Sequence, residues 1–120
     1  NLLLKNKIET YMVPKAQEFI SVSGINFSEP ENILPEVDIV FIVGGDGTIL
    51  DSVPIIRDSG IPVCGINTGN LGFLSSVSPK ETIEAVKNII EGNYDIEQRS
   101  LIKINDKYNF DIDIVLLLFK

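Results

Sequence analysis

One stretch decides the fold of this chain: Val37-Asp38-Ile39-Val40-Phe41-Ile42-Val43-Gly44-Gly45-Asp46-Gly47-Thr48-Ile49-Leu50. Six of its first seven residues are apolar and most are β-branched or aromatic, which predicts a strand buried on both faces, as in a parallel sheet. Three glycines then surround one carboxylate, so the backbone can turn sharply and its N–H groups can lie against a ligand. Thr48 fits an N-cap, with Asp51 completing a variant of the capping box. Such a helix start favours an anion in front of it, and we predict a phosphate there.

The residues after this turn complete a β-α-β unit. Apolar residues recur at helical spacing as far as Gly60, with Pro54 inside the window, where an interior proline predicts a kink or a restart. The next buried strand is predicted over 61–66. Because such strands run parallel, the turn at 44–48 and a second polar turn at 67–73 should leave the same carboxyl edge of the sheet, where open α/β sheets bind ligands.

The flanking segments carry weaker patterns. Apolar residues at 4, 8 and 11 predict a first helix that Pro14 ends, and a short strand is predicted over 19–22. Ser78 fits the N-cap of a later helix, with Glu81 closing a capping box and Gly92 just past the helix end. Beyond Tyr94 two apolar runs joined near 105–107 predict a β-hairpin instead of another β-α-β turn.

Composition limits the class of protein. With 120 residues, 44% of them hydrophobic, the chain can build one core but not two ordinary domains. Its formal charge of -7 argues against nucleic acid or an anionic membrane as partner, because either requires a basic face. The single Cys64 lies in an apolar run, which predicts a packing role in a reducing cytoplasm. No signal peptide or membrane-spanning run is visible, and because the chain opens on Asn1 we expect it to be a piece of a longer protein.

Two motifs together resemble the signature loops of NAD kinases. They are Gly44-Gly45-Asp46-Gly47-Thr48-Ile49-Leu50 and, about 20 residues later, Gly65-Ile66-Asn67-Thr68-Gly69-Asn70-Leu71-Gly72-Phe73-Leu74. The first motif is moderately specific, since lipid kinases related to diacylglycerol kinase carry it and phosphofructokinases have a close relative. The second motif at this spacing discriminates better. The resemblance covers roughly residues 34–104.

The resemblance implies a fold and an activity. The expected fold is α/β, a Rossmann-like three-layer domain with a parallel sheet over 1–94, incomplete at its N-terminus, followed over 95–120 by the first strands of a truncated C-terminal β domain. The implied reaction transfers the γ-phosphoryl group of ATP to the 2′-hydroxyl of the adenosine ribose of NAD, giving NADP, with Mg²⁺ or another divalent cation. We expect a cytoplasmic location and a homo-oligomer when the protein is full length; no residue is indicated as a metal ligand.

Carried over by position, the resemblance makes Asp46 the catalytic aspartate, placed to take the proton of the attacking hydroxyl. Gly47 and Leu50 match positions beside the bound NAD, and Phe73 matches a ring near the adenine. The other residues expected to bind the nucleotide are Gly44, Gly45, Thr48, Asn67, Thr68, Gly69 and Asn70. The first loop has neither the Lys of a P-loop nor the Gly-x-Gly-x-x-Gly of a dehydrogenase, so NAD is expected as a substrate and not as a redox cofactor.

Several alternatives stay open at the level of the sequence. The Asn-Glu pair that grips the NAD ribose in the family would fall near Asp113 and Ile114, which do not match it. We therefore expect little or no kinase activity from these residues alone, because an open half-site cannot exclude water. The chain could instead belong to a lipid or sugar kinase with the same first loop, or be a non-catalytic nucleotide-binding remnant. Asp46, Thr48, Asn67 and Asn70 could each serve only their own turn or cap, and Phe73 could be core.

Overall fold

The chain folds as an α/β structure with parallel strand pairs. The computed structural model describes residues 2–69, 72–74, 77–102 and 116–118. The α-helices in these ranges are α1 (Leu2–Lys5), α2 (Pro30–Ile33), α3 (Asp46–Ile56) and α4 (Thr82–Glu91), and two 3-10 helices cover Pro14–Glu18 and Leu34–Glu36. The strands are β1 (Tyr11–Met12), β2 (Asn26–Phe27), β3 (Val40–Gly44), β4 (Val63–Asn67), β5 (Ser100–Ile102) and β6 (Leu116–Leu118).

The centre of the fold is the β3-α3-β4 unit. β3 and β4 pair in parallel over their full lengths, with Gly44 opposite Asn67. The chain returns to the outer edge of β4 at Val77, whose N–H donates to the Gly65 carbonyl at 3.1 Å and whose carbonyl accepts from the Asn67 N–H at 2.8 Å. The predicted β-α-β unit and the α/β class are confirmed. Among the described residues the strands form separate pairs, β1-β2 and β3-β4 parallel and β5-β6 antiparallel.

A small core holds this unit together. Its buried apolar side chains are Ile42 from β3, Ile49 from α3, Ile66 from β4, and Val77. The prediction that β3 is buried on both faces is wrong, because Val43 remains 59% exposed. Within the described residues β3 has a strand neighbour on one side only, so its side chains have fewer neighbours than those of a central strand.

Helix α3 begins earlier than the sequence pattern predicts. Its first residue is Asp46 and its N-cap is Gly45, so the assignment of Thr48 as N-cap is wrong. Glycine is an acceptable N-cap, and an acidic residue in the first turn complements the helix dipole, which together favour the earlier start. The helix also continues through Pro54 without a restart and ends at Ile56.

Helix α4 begins later than predicted. Its first residue is Thr82, whereas an N-cap at Ser78 would start the helix at the next residue, although the contact between Ser78 and Glu81 does form. The Glu81 carboxylate accepts from the Ser78 N–H at 3.2 Å and from the Ser78 hydroxyl, so the intervening residues form a turn that leads into the helix. Gly92 lies just past the helix end, as predicted, and its φ of 75° is the left-handed conformation typical of that position.

The two ends of the chain also differ from their predicted patterns. Helix α1 ends at Lys5, so Ile8 and Tyr11 lie outside it, and the predicted strand over 19–22 is absent. Instead, this part of the chain contains the short parallel pair of β1 and β2. β5 does pair with an antiparallel strand, but that strand is β6, later in the chain than expected. The predicted turn near 105–107 lies outside the described residues.

Candidate functional site

The site is built where β3 and β4 end. Because the strands are parallel and Gly44 lies opposite Asn67, the two polar turns leave the same edge of the sheet, as predicted. Asp46 opens α3 at this edge, and Asn67 is the last residue of β4. The β-α-β topology therefore brings the two motifs side by side.

The Asp46 carboxylate reaches across to the second turn. Its Oδ2 accepts a hydrogen bond from the Phe73 N–H at 2.8 Å, and its Oδ1 accepts one from the Leu74 N–H at 3.1 Å. These donors lie 27 and 28 residues further along the chain, so Asp46 joins the two motifs instead of serving only its own turn. The side chain is half-buried, with each oxygen held by one backbone donor.

Asn67 is buried and binds the backbone at the beginning of the second turn. Only 1% of it is exposed, and its Oδ1 accepts from the Gly69 N–H at 2.7 Å. This hydrogen bond closes an Asx-type turn, which is the local role considered for this residue. Thr68 and Gly69 are exposed at the edge, whereas Asn70 lies outside the described residues.

The first motif presents an open backbone surface. An ideal Cβ on Gly44 would lie 2.3 Å from Thr48 Oγ1, so the missing side chain allows Thr48 to pack over the strand end. Ideal Cβ atoms on Gly45 and Gly47 meet nothing within 4 Å among the described residues. Both glycines are exposed, which leaves room for a ligand to approach the backbone here.

Phe73 is not a core residue. It is 89% exposed, while its N–H is bonded to Asp46. Leu50, on the first turns of α3, is also partly exposed. The alternative in which Phe73 fills the core is therefore wrong. An exposed ring whose backbone contacts the acid at the strand edge is suited to stack on a planar ligand.

The described residues provide no protein cage for a metal ion. No group of three or more His, Cys, Asp or Glu side chains among them lies close enough to hold one. Burial raises the pKa of the Cys64 thiol, which makes it a poorer nucleophile and supports the predicted packing role. No described helix has the length and apolarity needed to cross a membrane.

The described structure also contains a cavity among its helices and strands. It has a volume of about 780 Å³ and lies between β4, α3, α4 and the segment 93–100. None of the predicted site residues lines it. Its walls include inward faces of the sheet and helices, among them Ile42, Ile49, Val53 and Ile89, so we assign it to loose packing of the core.

The sequence did not indicate the backbone donors of the site. The N–H groups of Phe73 and Leu74 bind the acid, yet every residue except proline carries such a group, so residue type gives no signal. The only pointer in the sequence was the presence of both motifs at a fixed spacing.

Comparison with known proteins identifies the family. A family described as the ATP-NAD kinase N-terminal domain matches residues 9–94, which is most of the chain. The chain belongs to the NAD kinase family. The match includes both polar turns and the whole β3-α3-β4 unit.

Several NAD kinases are similar in sequence to this chain. That of Bacteroides fragilis is 41% identical over 75 residues, which is 61% of this chain and 26% of the relative. That of Thermococcus kodakarensis is 38% identical over 113 residues, which is 79% of this chain and 40% of the relative. That of Pseudomonas entomophila is 34% identical, with 84% of this chain and 34% of the relative covered. The chain therefore spans between a quarter and two fifths of the length of these relatives.

The fold of the family is also found among solved structures. The crystal structure of yeast NADH kinase complexed with NADH superimposes with a TM-score of 0.65 at 23% sequence identity. The superposition covers 93% of this chain and 37% of the yeast chain. This likeness confirms the Rossmann-like α/β fold that the sequence predicted.

Proposed function

We propose that this chain supplies the NAD-facing N-terminal part of an NAD kinase, an enzyme that transfers the γ-phosphoryl group of ATP to NAD. The observation that carries the proposal is the Asp46 carboxylate, held between the two motifs by the N–H groups of Phe73 and Leu74. Family membership supports the reaction, and the relatives named above are NAD kinases.

In this proposal Asp46 acts on the nucleophile. The 2′-hydroxyl oxygen of the adenosine ribose attacks the γ-phosphorus of ATP, the bond from that phosphorus to the bridging oxygen breaks, and ADP leaves. The hydroxyl proton passes to the Asp46 carboxylate. Each carboxylate oxygen has one backbone donor in the structure and keeps acceptor capacity for the substrate hydroxyl. Phosphoryl transfer depends mainly on such positioning.

The nucleotide would lie along the exposed edge. Gly45, Gly47 and Thr48 form the open backbone surface at the start of α3, and the exposed Phe73 ring is suited to the adenine. Further binding residues in the proposal are Gly44, Leu50, Asn67, Thr68, Gly69 and Asn70. A divalent cation would arrive with the ATP phosphates, because Mg²⁺ usually binds one or two carboxylates together with substrate phosphates.

A fusion protein tests the proposal. The segment of Thermococcus kodakarensis NAD kinase that matches this chain over 113 residues is replaced by the chain itself, so that the rest of the relative completes the site. We expect NADP formation that depends on ATP and Mg²⁺. Asp46→Asn should lower kcat by about 100-fold or more, the usual effect of losing a general base. The matched control Asp58→Asn changes an exposed carboxylate and should leave kcat unchanged.

Other outcomes of the same assay would select the alternatives. Phosphorylation of diacylglycerol or fructose 6-phosphate, with none of NAD, would indicate a lipid or sugar kinase. A folded fusion that binds NAD in calorimetry but forms no NADP with or without Asp46 would indicate a non-catalytic remnant.

The wider properties of the protein belong to the same proposal. We place the nucleotide-binding domain at 1–94 and the start of a β-rich domain at 95–120. We also propose a cytoplasmic homo-oligomer with neither nucleic acid nor membrane as partner, in keeping with the acidic composition. Gel filtration and fractionation of cells expressing the full-length protein test these points.

A further inference from the structure

The backbone that holds Asp46 passes unusually close to it at Gly72. The Phe73 and Leu74 N–H groups bind opposite oxygens of the carboxylate, and Gly72 immediately precedes them. An ideal Cβ on Gly72 would lie 2.1 Å from Asp46 Oδ1, 2.3 Å from its Cγ and 2.4 Å from its Oδ2. Real Cβ atoms essentially never approach other atoms so closely, so any side chain at this position would have to displace the carboxylate or the turn.

We propose that Gly72 is a positioning residue for Asp46. Because it has no side chain, the backbone of the second turn can lie flat against the carboxylate and present two consecutive N–H groups to it. The three residues 72–74 then form a clamp that fixes the position and plane of the carboxylate. This inference rests on the proposed function only in taking Asp46 as the group that receives the proton.

The clamp is anchored on both sides by the fold. Asp46 is fixed by its place at the start of α3, directly after β3. On the other side, the buried Asn67 lies before residues 72–74, and Val77, which bonds to the edge of β4, lies after them. The position of the acid therefore depends on both turns, which gives a physical reason for the two motifs to occur together.

A double-mutant cycle on the 120-residue chain tests the contact. Gly72→Ala should lower the midpoint of thermal unfolding by about 5 °C or more in the presence of Asp46. In an Asp46→Ala background, where no carboxylate opposes the new methyl group, the same substitution should lower it much less. Failure of Gly72→Ala to fold, together with folding of the double variant, would give the same support. Equal shifts in both backgrounds would overturn the proposal.

The matched control is Gly92→Ala. Gly92 has a φ of 75° at the end of α4, where alanine is strained, and its ideal Cβ meets nothing within 4 Å among the described residues. This substitution should lower the midpoint by about 5 °C in both backgrounds, because no contact couples it to Asp46.

A spectroscopic measurement separates positioning from stability. In the wild-type chain the amide protons of Phe73 and Leu74 should resonate at the low field typical of N–H groups bonded to a carboxylate, and Asp46→Ala should move both resonances upfield. Gly72→Ala should also move both resonances upfield, whereas Gly92→Ala should leave them in place. Unchanged resonances of both amides in Gly72→Ala would overturn the proposal. The cycle and the spectra involve no NADP formation, so a negative result in them is distinct from failure of the kinase assay.

Discussion

At the scale of single residues, the site depends on glycines that lack a Cβ as well as on the side chains that bind. Gly44 and Gly72 each leave room for a side chain of the first motif, Thr48 in one case and Asp46 in the other. Gly47 differs from them, because an ideal Cβ there would meet no atom of the described residues within 4 Å. The three glycines therefore differ in role although the sequence alone treats them alike.

Gly44→Ala should destabilise the chain by about 2 kcal/mol, because its Cβ would overlap both Oγ1 and Cβ of Thr48 and overpacking typically costs that much. Gly47→Ala is the control. Gly47 lies in the first turn of α3, and an ideal Cβ there meets no atom of the described residues within 4 Å. Because alanine is also the better helix former, the free energy of unfolding of this variant should be unchanged or slightly higher. Urea unfolding measures both; equal losses would contradict the packing role of Gly44.

Asn67→Ala should destabilise the chain by about 2 kcal/mol, because it empties a buried polar position and leaves the Gly69 N–H without its side-chain acceptor. Thr68→Ala changes the exposed neighbour and should alter the free energy of unfolding by less than about 0.5 kcal/mol. If the two variants unfolded at the same urea concentration, Asn67 would not organise the turn.

At the scale of elements, helix starts were the least predictable features. α3 begins two residues before the predicted Thr48 cap because Gly45 and Asp46 satisfy the requirements of a helix start earlier. α4 begins at Thr82 although the Ser78–Glu81 contact that predicted its start is present. A capping sequence thus located each start only to within a few residues, because helix ends are less sharply defined than helix interiors.

The turn before α4 should be sensitive to acid. Hydrogen bonds from the Ser78 hydroxyl and the Ser78 N–H lower the pKa of the Glu81 carboxyl. A lowered pKa in the folded state adds stability above the ordinary glutamic acid pKa, and this stability is lost as the pH falls through the lowered value. Ser78→Ala should therefore be less stable than wild type at pH 7, and the difference should shrink as the pH falls below about 4.

Urea unfolding of both proteins between pH 7 and pH 3 measures this difference. The comparison cancels the titration of the other acidic residues, which both chains share. A difference that stays constant across the range would show that the Ser78 hydroxyl does not act through the Glu81 charge.

At the scale of the whole molecule, stability rests on few residues. Only four apolar side chains are buried among the described residues, and a cavity of about 780 Å³ adjoins them. Such a core gives a small free energy of unfolding, so a single substitution in it should remove a large fraction of the stability.

Ile49→Ala should therefore cost about 3 kcal/mol, because Ile49 is only 9% exposed and its removal enlarges the space between α3 and the sheet. Ile55→Ala makes the same chemical change on the same helix at a position that is 39% exposed, and should cost less than about 1 kcal/mol. Thermal unfolding followed by circular dichroism compares them. Similar midpoints would show that α3 does not pack on the core described.

The sequence by itself determined the β3-α3-β4 unit, the shared edge of its two turns and the family. These depend on local signals: a buried apolar run predicts a strand, glycines permit a turn, and two motifs at a fixed spacing identify a lineage. The tertiary structure alone decided that Asp46 binds the Phe73 and Leu74 N–H groups, that Phe73 is exposed and that a Cβ at Gly72 would overlap the Asp46 carboxylate. The contacts of Asp46 join residues more than 25 positions apart, and residue type does not encode where such residues meet in space.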